Sequence, residues 1–292
     1  KNAALLLMAS QLATGISPER ALVLAEAARE LEPALPAGLS AVCQAQLACG
    51  LASAAVASAT RLVAMVPDDQ FHIALLITAW RLANDPRGDA LSAASSVQTQ
   101  FLERPLEWPS MEAFLADLKS ELGCYHDLPN HPFGMSVRAG SQTSQDLRKA
   151  REPAICAFQR AIGDVARRHI ESVGAKTDPF GRTPPRRLSI AGLWSVRLGP
   201  QGFHTDHVHP AGYLSSAFYV DLPRAIGDSP LREGWLKFGQ PGIATEPQLP
   251  PTHFVMPQPG LLVLFPSYLW HGTVPLGSGD GGRLTVAFDL AS

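Results

Sequence analysis

The sequence predicts an α+β chain of two regions, a helical N-terminal third and a C-terminal barrel or sandwich of short strands with flanking helices. Three observations predict it. Residues from about 1 to 95 are rich in Ala and Leu, poor in aromatics, and nearly free of Gly or Pro inside the runs, which is helical composition. From about residue 188 onward, short aliphatic and β-branched runs are bounded by Gly-Pro, Pro-Arg, Gly-Asp and Gly-Gly turn signals. No helical pattern separates those runs, and closely spaced strands of that kind form barrels or sandwiches. The expected domains are 1–100, helical, and 101–292, with a strand core over about 188–290.

The helical elements come first. Ala4–Met8 follows Lys1 and faintly resembles the apolar part of a signal peptide, but it is too short, and an Ala-rich helix accounts for it. The chain opens on Lys rather than Met, as a piece of a longer protein does. Ser17-Pro18-Glu19 reads as a helix start, with a capping Ser and a Pro at the first helical position. Breaks recur at Glu32-Pro33, Val66-Pro67 and Asp85-Pro86. The first two prolines are 34 residues apart, and Ala21 and Ala55 each lie twelve residues before one of them. In this period and these small residues the region resembles tetratricopeptide repeats, about two with part of a third. The large aromatic positions of that pattern are mostly absent, and a plain helical bundle is the alternative. The resemblance implies a concave surface able to hold a peptide or protein substrate.

The middle of the chain is mixed. Ser110–Leu122 has apolar residues at helical spacing, and so does Glu152–Val173, with Ile155, Phe158, Ile162, Val165 and Ile170 on one stripe. Pro129–Thr143 between them is rich in Gly, Ser and Pro and reads as a loop with short strands. Strands are expected at Leu188–Leu198, Leu214–Leu222, Leu261–Phe265 and Leu284–Leu290. The Pro/Gly-rich linker Asp221–Pro251 holds one short strand in Gly234–Gly239; the rest is a substrate-covering loop or a passive surface loop.

Charge and cysteine content exclude several classes. The 24 basic and 26 acidic residues give a net charge of −2, and the basic pairs Arg167–Arg168 and Arg186–Arg187 are short, so neither nucleic acid nor a membrane surface is expected as a partner. No apolar run is long enough to span a bilayer. Cys43, Cys49, Cys124 and Cys156 form no CxxC pair and suggest no disulfide framework, in keeping with a reducing cytoplasm.

The chemistry lies in the histidines. His204, His207 and His209 fall within six residues, and His271 follows a later strand. Imidazole is the commonest transition-metal side-chain ligand, and a cluster beside one strand with a fourth ring at the end of another points to a metal site. Residues two apart on a strand face the same way, so His207 and His209 can share an ion, and so can His204 and Asp206. His271 would close the site, leaving faces of an octahedron open for a bidentate co-substrate and dioxygen. Arg283 begins an apolar strand that also carries Thr285. An arginine pointing inward there needs an anion, and the second carboxylate of 2-oxoglutarate suits it, with Thr285 as an extra donor; a surface arginine at a strand end is the alternative.

Here the chain resembles a family. His207-Val208-His209-Pro210, then Leu214-Ser215-Ser216-Ala217-Phe218-Tyr219-Val220, then Phe265-Pro266-Ser267 before His271, then Arg283-Leu284-Thr285 resemble the 2-oxoglutarate/Fe(II) oxygenases of a His-x-His-Pro type. Forms of that group with N-terminal tetratricopeptide repeats look most similar. The resemblance runs from about Leu188 to Asp289, and Arg138–Thr143 is similar to a segment upstream of the core in such proteins. It implies a double-stranded β-helix, or jelly roll, with His207, His209 and His271 as metal ligands and Arg283 with Thr285 as the co-substrate anchor. It also implies Fe(II), 2-oxoglutarate and O2, with hydroxylation of a C–H bond and release of succinate and CO2. The wider superfamily has His-x-Asp or His-x-Glu, which His204-Thr205-Asp206 matches literally. The Gly-rich turn before the later pair, and Pro210 ending its strand, favour His207 and His209. Trp194, Tyr219 and Trp270 are cavity walls or ordinary core aromatics. Two other readings are a non-catalytic metal-binding jelly roll on a helical scaffold, and a cupin-like enzyme with another metal and no keto acid.

Overall fold

The fold was analysed as a computed structural model that describes residues 2–127, 134–173, 177–178, 180–223, 226–227, 230–279 and 281–292. Part of the expected Pro129–Thr143 loop, 129–133, and positions 224–225 and 228–229 of the expected linker lie outside the described residues. Six helices open the chain: α1 (Ala3–Ala13), α2 (Pro18–Leu31), α3 (Pro36–Ala48), α4 (Ala52–Met65), α5 (Gln70–Leu82) and α6 (Pro86–Leu91). Pro18, Pro36 and Pro86 sit at helix starts, where a missing N–H costs nothing. Ser17, expected as a side-chain cap, makes no such bond; only its carbonyl is used, accepting from Ala21 N. The side chains of Asp69 and Asp85 do cap α5 and α6.

The period read from the prolines recurs in the helices. α2 and α4 are both 14 residues long and begin 34 residues apart, and α3 and α5, both 13 residues, do the same. The chain leaves α2 at Glu32 with φ −137° and ψ 68°, and α4 at Val66 with φ −138° and ψ 80°. Ala21, Ala25, Ala55 and Ala59 are fully buried, so small residues let successive helices approach. Burial rises along the stack. Leu5 and Met8 of α1 are exposed, whereas Leu39 and Val42 of α3, and Ile73 and Leu76 of α5, which follow them at steps of 34 residues, are buried.

The strand region contains β1 (Gln98–Phe101), α7 (Met111–Gly123), β2 (Val137–Gln142), α8 (Pro153–Val173), β3 (Ser189–His204), β4 (Leu214–Asp221), β5 (Leu236–Phe238), β6 (His253–Val255), β7 (Leu261–Pro266), β8 (His271–Thr273) and β9 (Arg283–Ala291). Every pair is antiparallel, in a six-stranded sheet ordered β1-β7-β4-β9-β3-β2 and a three-stranded sheet ordered β6-β5-β8. Alternation sorts the large sheet into two faces. Phe218, Leu262, Leu264, Val286 and Phe288 pack with Phe114 of α7 and Phe158 of α8. Ala217, Tyr219, Val263 and Phe265 point the other way, toward Leu236 and Phe238 of the small sheet.

Two sequence expectations need correction. The strand expected to stop at Leu198 continues to His204, because Gly199–Gly202 forms a bulge rather than a turn. Arg138 pairs with Phe203 and Gly140 with Leu198, leaving four residues of β3 opposite Ala139. A Cβ on Gly202 would lie 2.7 Å from Ala139 O, so only glycine fits there. The second correction concerns Pro210: the regular strand has already ended at His204, and His207 and His209 stand beyond it, His207 in an isolated bridge to His271. The linker is also tied down. Glu246 N donates to Leu47 O (3.0 Å), Arg81 reaches the carbonyls of Gly239 and Pro250, and Thr252 Oγ1 donates to Ser92 O (2.7 Å).

Helices and strands share one core. α5 is buried almost throughout, packing α4 on one side and the strand region on the other. Trp270 Nε1 donates to Thr78 Oγ1 (3.0 Å), the Phe71 and Trp270 rings meet edge to face at 6.0 Å, and Gln70 N donates to Pro210 O (3.0 Å).

Candidate metal centre

Three backbone hydrogen bonds assemble the histidines. His207 N donates to His271 O (2.9 Å) and His271 N to His207 O (3.1 Å), an isolated bridge that sets the two residues side by side. His209 N donates to Ser267 O (3.0 Å). The ring centroids are then 4.2 Å apart for His207–His271 and 5.1 Å for both His207–His209 and His209–His271. One ring nitrogen from each lies within 4.8 Å of the other two.

Each of these rings uses its Nδ1 in the same way. His207 Nδ1 lies 2.8 Å from Thr205 O, His271 Nδ1 2.9 Å from Leu269 O, and His209 Nδ1 2.6 Å from Asp289 Oδ2. Carbonyl and carboxylate oxygens only accept, so each Nδ1 carries a proton, and Nε2 is the ring nitrogen left to face a cation. Burial holds His207 and His271 neutral as a metal requires. It pulls His207 down to about 4, helped by His209 and opposed by the Thr205 carbonyl and the Asp289 charge. His271 is lowered well below the ordinary histidine value, by burial first and then by His207 and His209.

The alternative pair is placed differently. His204 is outside this cluster, its Nδ1 3.0 Å from Ser136 Oγ, and burial lowers its pKa well below the ordinary value. Asp206 Oδ2 accepts from Lys237 Nζ (2.8 Å) on β5.

Arg283 lies inward, 2 % exposed. Its guanidinium donates to Gly234 O and Thr273 Oγ1, both at 3.1 Å, and lies 4.9 Å from the centroid of the Tyr219 ring. Nε has no partner, and Arg283 forms no ion pair among the described residues. Burial lowers its pKa and the Tyr219 phenol opposes that, yet an arginine stays charged in a protein. A buried cation without a counter-charge leaves room for an anion. Thr285 follows on the same face of β9, buried, its hydroxyl 3.5 Å from Val196 O.

The three rings, Arg283 and Thr285 line one cavity of about 1130 Å³ between the sheets. Trp194 and Trp270 wall it, and Trp194 stacks on His209 at 5.7 Å. Tyr219 is fully buried in the core cluster instead. Sequence reasoning missed Thr273 and Asp289. Asp289 was accessible through spacing, since residues 283, 285, 287 and 289 alternate onto the same face. Thr273 sits on a three-residue strand with no periodic signal.

Three imidazoles converging on one point, beside a buried guanidinium in the same cavity, fit the donor set of a non-haem iron oxygenase with an anionic co-substrate. Residues 192–289, a third of the chain, match the family model described as "Putative 2OG-Fe(II) oxygenase". Together they identify a 2-oxoglutarate- and Fe(II)-dependent oxygenase that uses O2. No curated protein sequence matches the chain. Among solved structures it is similar to a Pseudomonas putida prolyl-4-hydroxylase, at 16 % identity and TM-score 0.44, over 66 % of this chain and 92 % of that one. It is also similar to HygX from Streptomyces hygroscopicus with nickel and 2-oxoglutarate bound, at 14 % identity and TM-score 0.43, over 67 % and 82 %.

Proposed function

We propose that His207, His209 and His271 hold the Fe(II), that Arg283 pairs with the far carboxylate of 2-oxoglutarate, and that the enzyme hydroxylates a C–H bond of its substrate, releasing succinate and CO2. The observation that carries this reading is Arg283, buried with no counter-ion among the described residues in the cavity the three rings share. Thr273 orients the guanidinium, and Thr285 offers a hydroxyl beside it. Iron, when bound, supplies the activation of dioxygen and keto acid. The protein fixes the Nε2 lone pairs, places a cation for the co-substrate and walls the cavity with Trp194 and Trp270.

The two facing sheets support a double-stranded β-helix, and the 34-residue return of helix lengths and ends supports tetratricopeptide-like repeats in α1 to α5. The substrate is a peptide or protein segment in this reading. Gln11 of α1, Gln44 of α3 and Phe71 of α5 line the same cavity as the histidines, so a chain lying across the helices reaches the metal. The cytoplasm is the proposed location, on the four free cysteines.

The test is succinate formation from 2-oxoglutarate by the Fe(II)-loaded protein in air, with Arg283→Ala beside it. Losing a charge-assisted contact of about 1.5–3 kcal/mol raises the KM for 2-oxoglutarate roughly 10- to 100-fold. An unchanged KM removes the anchor assignment, and metal binding with no succinate leaves a scaffold.

A further inference from the structure

Asp289 sets His209 apart from the other two rings. His207 and His271 give their Nδ1 protons to main-chain carbonyls, whereas His209 gives its proton to a carboxylate at 2.6 Å. That carboxylate is itself held. Asp289 Oδ1 accepts from Ser215 Oγ (2.8 Å), which lies 2.9 Å from Ser267 Oγ, and Ser215 pairs with Asp289 across β4 and β9. Ser267 is packed so closely that a Cβ on Gly212 would lie 2.4 Å from its hydroxyl. The His209 ring is also fixed on its face by Trp194, at 5.7 Å and an interplanar angle of 23°. Among the described residues Asp289 has no Lys or Arg partner, so its charge faces His209 and the Ser215 hydroxyl.

Three neutral imidazoles leave a divalent cation with its full charge, where a carboxylate ligand would cancel half of it. We propose that Asp289 is a positioning residue that supplies this missing negative charge one bond further out, through His209, making that ring the most basic of the three donors. The proposal rests on the reading that His209 is a ligand. A carboxylate bonded to Nδ1–H polarises the ring, strengthens the Nε2 donor and fixes its tautomer. Loss of such a partner typically weakens metal binding about 10- to 100-fold.

The experiment titrates the metal-free full chain with Co(II) and records affinity and the visible ligand-field spectrum. Asp289→Asn keeps an oxygen acceptor for Nδ1–H but removes the charge. It is expected to weaken Co(II) binding about 10- to 100-fold and to shift the ligand-field bands, with Asp289→Glu restoring part of both. His209→Ala is the control for the underlying reading and is expected to weaken binding further. Unchanged Co(II) affinity in His209→Ala removes His209 as a ligand. Weakened binding in His209→Ala with wild-type affinity and bands in Asp289→Asn removes the role given to Asp289 and leaves the ligand set intact. If Asp289→Asn does not fold, Ser215→Ala removes one of the two bonds that hold the carboxylate. A several-fold loss of affinity there supports the proposal, and wild-type affinity overturns it.

Discussion

The helical region and the strand region meet in one core, yet they use their residues in opposite ways. In the helices, function as a scaffold is spread over repeated small residues: Ala21, Ala25, Ala55 and Ala59 are all fully buried, and each does the same job. In the strands, the proposed chemistry rests on single residues placed once, such as His271 on β8 and Arg283 on β9. Burial in the helices depends on the neighbour rather than on repeat position, since equivalent apolar residues go from exposed on α1 to buried on α5. A change in the first region should therefore cost stability, and a change in the second should cost chemistry.

The largest break in that contrast is tested at His271. His271→Ala should take succinate formation to background and abolish tight Co(II) binding while circular dichroism keeps the wild-type fold; undiminished turnover would remove the ring from the site. Ala21→Leu should do the reverse. Forcing a larger side chain into a close helix contact costs about 1–3 kcal/mol. At about 2–4 °C for each kcal/mol, a thermal melt should fall by several degrees, with succinate formation at 25 °C retained. An unchanged melt would deny the close approach.

The smallest effect is the share of His126 in a pH dependence that the buried site histidines also produce. His126 lies between Ser141 Oγ (2.9 Å) and Ser195 Oγ (3.0 Å), and burial, then the nearby Arg197 charge, lowers it to about 4. Its folded pKa is below the unfolded value of about 6.5, so the unfolded chain takes up the proton first. Its contribution is fully present above about pH 6.5 and is lost as pH falls toward 4. Urea midpoints of the metal-free protein at pH 7.5 and pH 5 should show a fall, and His126→Gln should make it smaller without abolishing it, since His204, His207 and His271 titrate in the same direction; an equal fall in the variant would clear His126 of the effect.

The two regions were also legible by different signals. Helix existence and spacing came from composition and from Pro33 and Pro67, whose 34-residue separation matches that between the starts of α2 and α4. The longer strands β4, β7 and β9 were readable because each offers five or more apolar or alternating positions. β1, with all four residues exposed, and β6 and β8, with three residues each, carry no such pattern. Tertiary pairing alone makes them strands. The bulge at Gly199–Gly202 was misread because glycine and proline mark a strand's irregularity and its end with the same residues. At the site, the histidine cluster stood out by density, whereas Thr273 has meaning only through an arginine ten positions away.

The bond from Trp270 to Thr78, and that from Gln70 to Pro210, have a consequence for how the molecule can be taken apart. Trp270 precedes His271 and Pro210 follows His209, so α5 grips the polypeptide immediately beside two of the three rings. The helices are thus a vice for the ligand geometry, and trimming them away would release the jaws and let the imidazoles drift. Heat should loosen both parts in a single step, and neither is a cassette to be grafted onto another protein without the other.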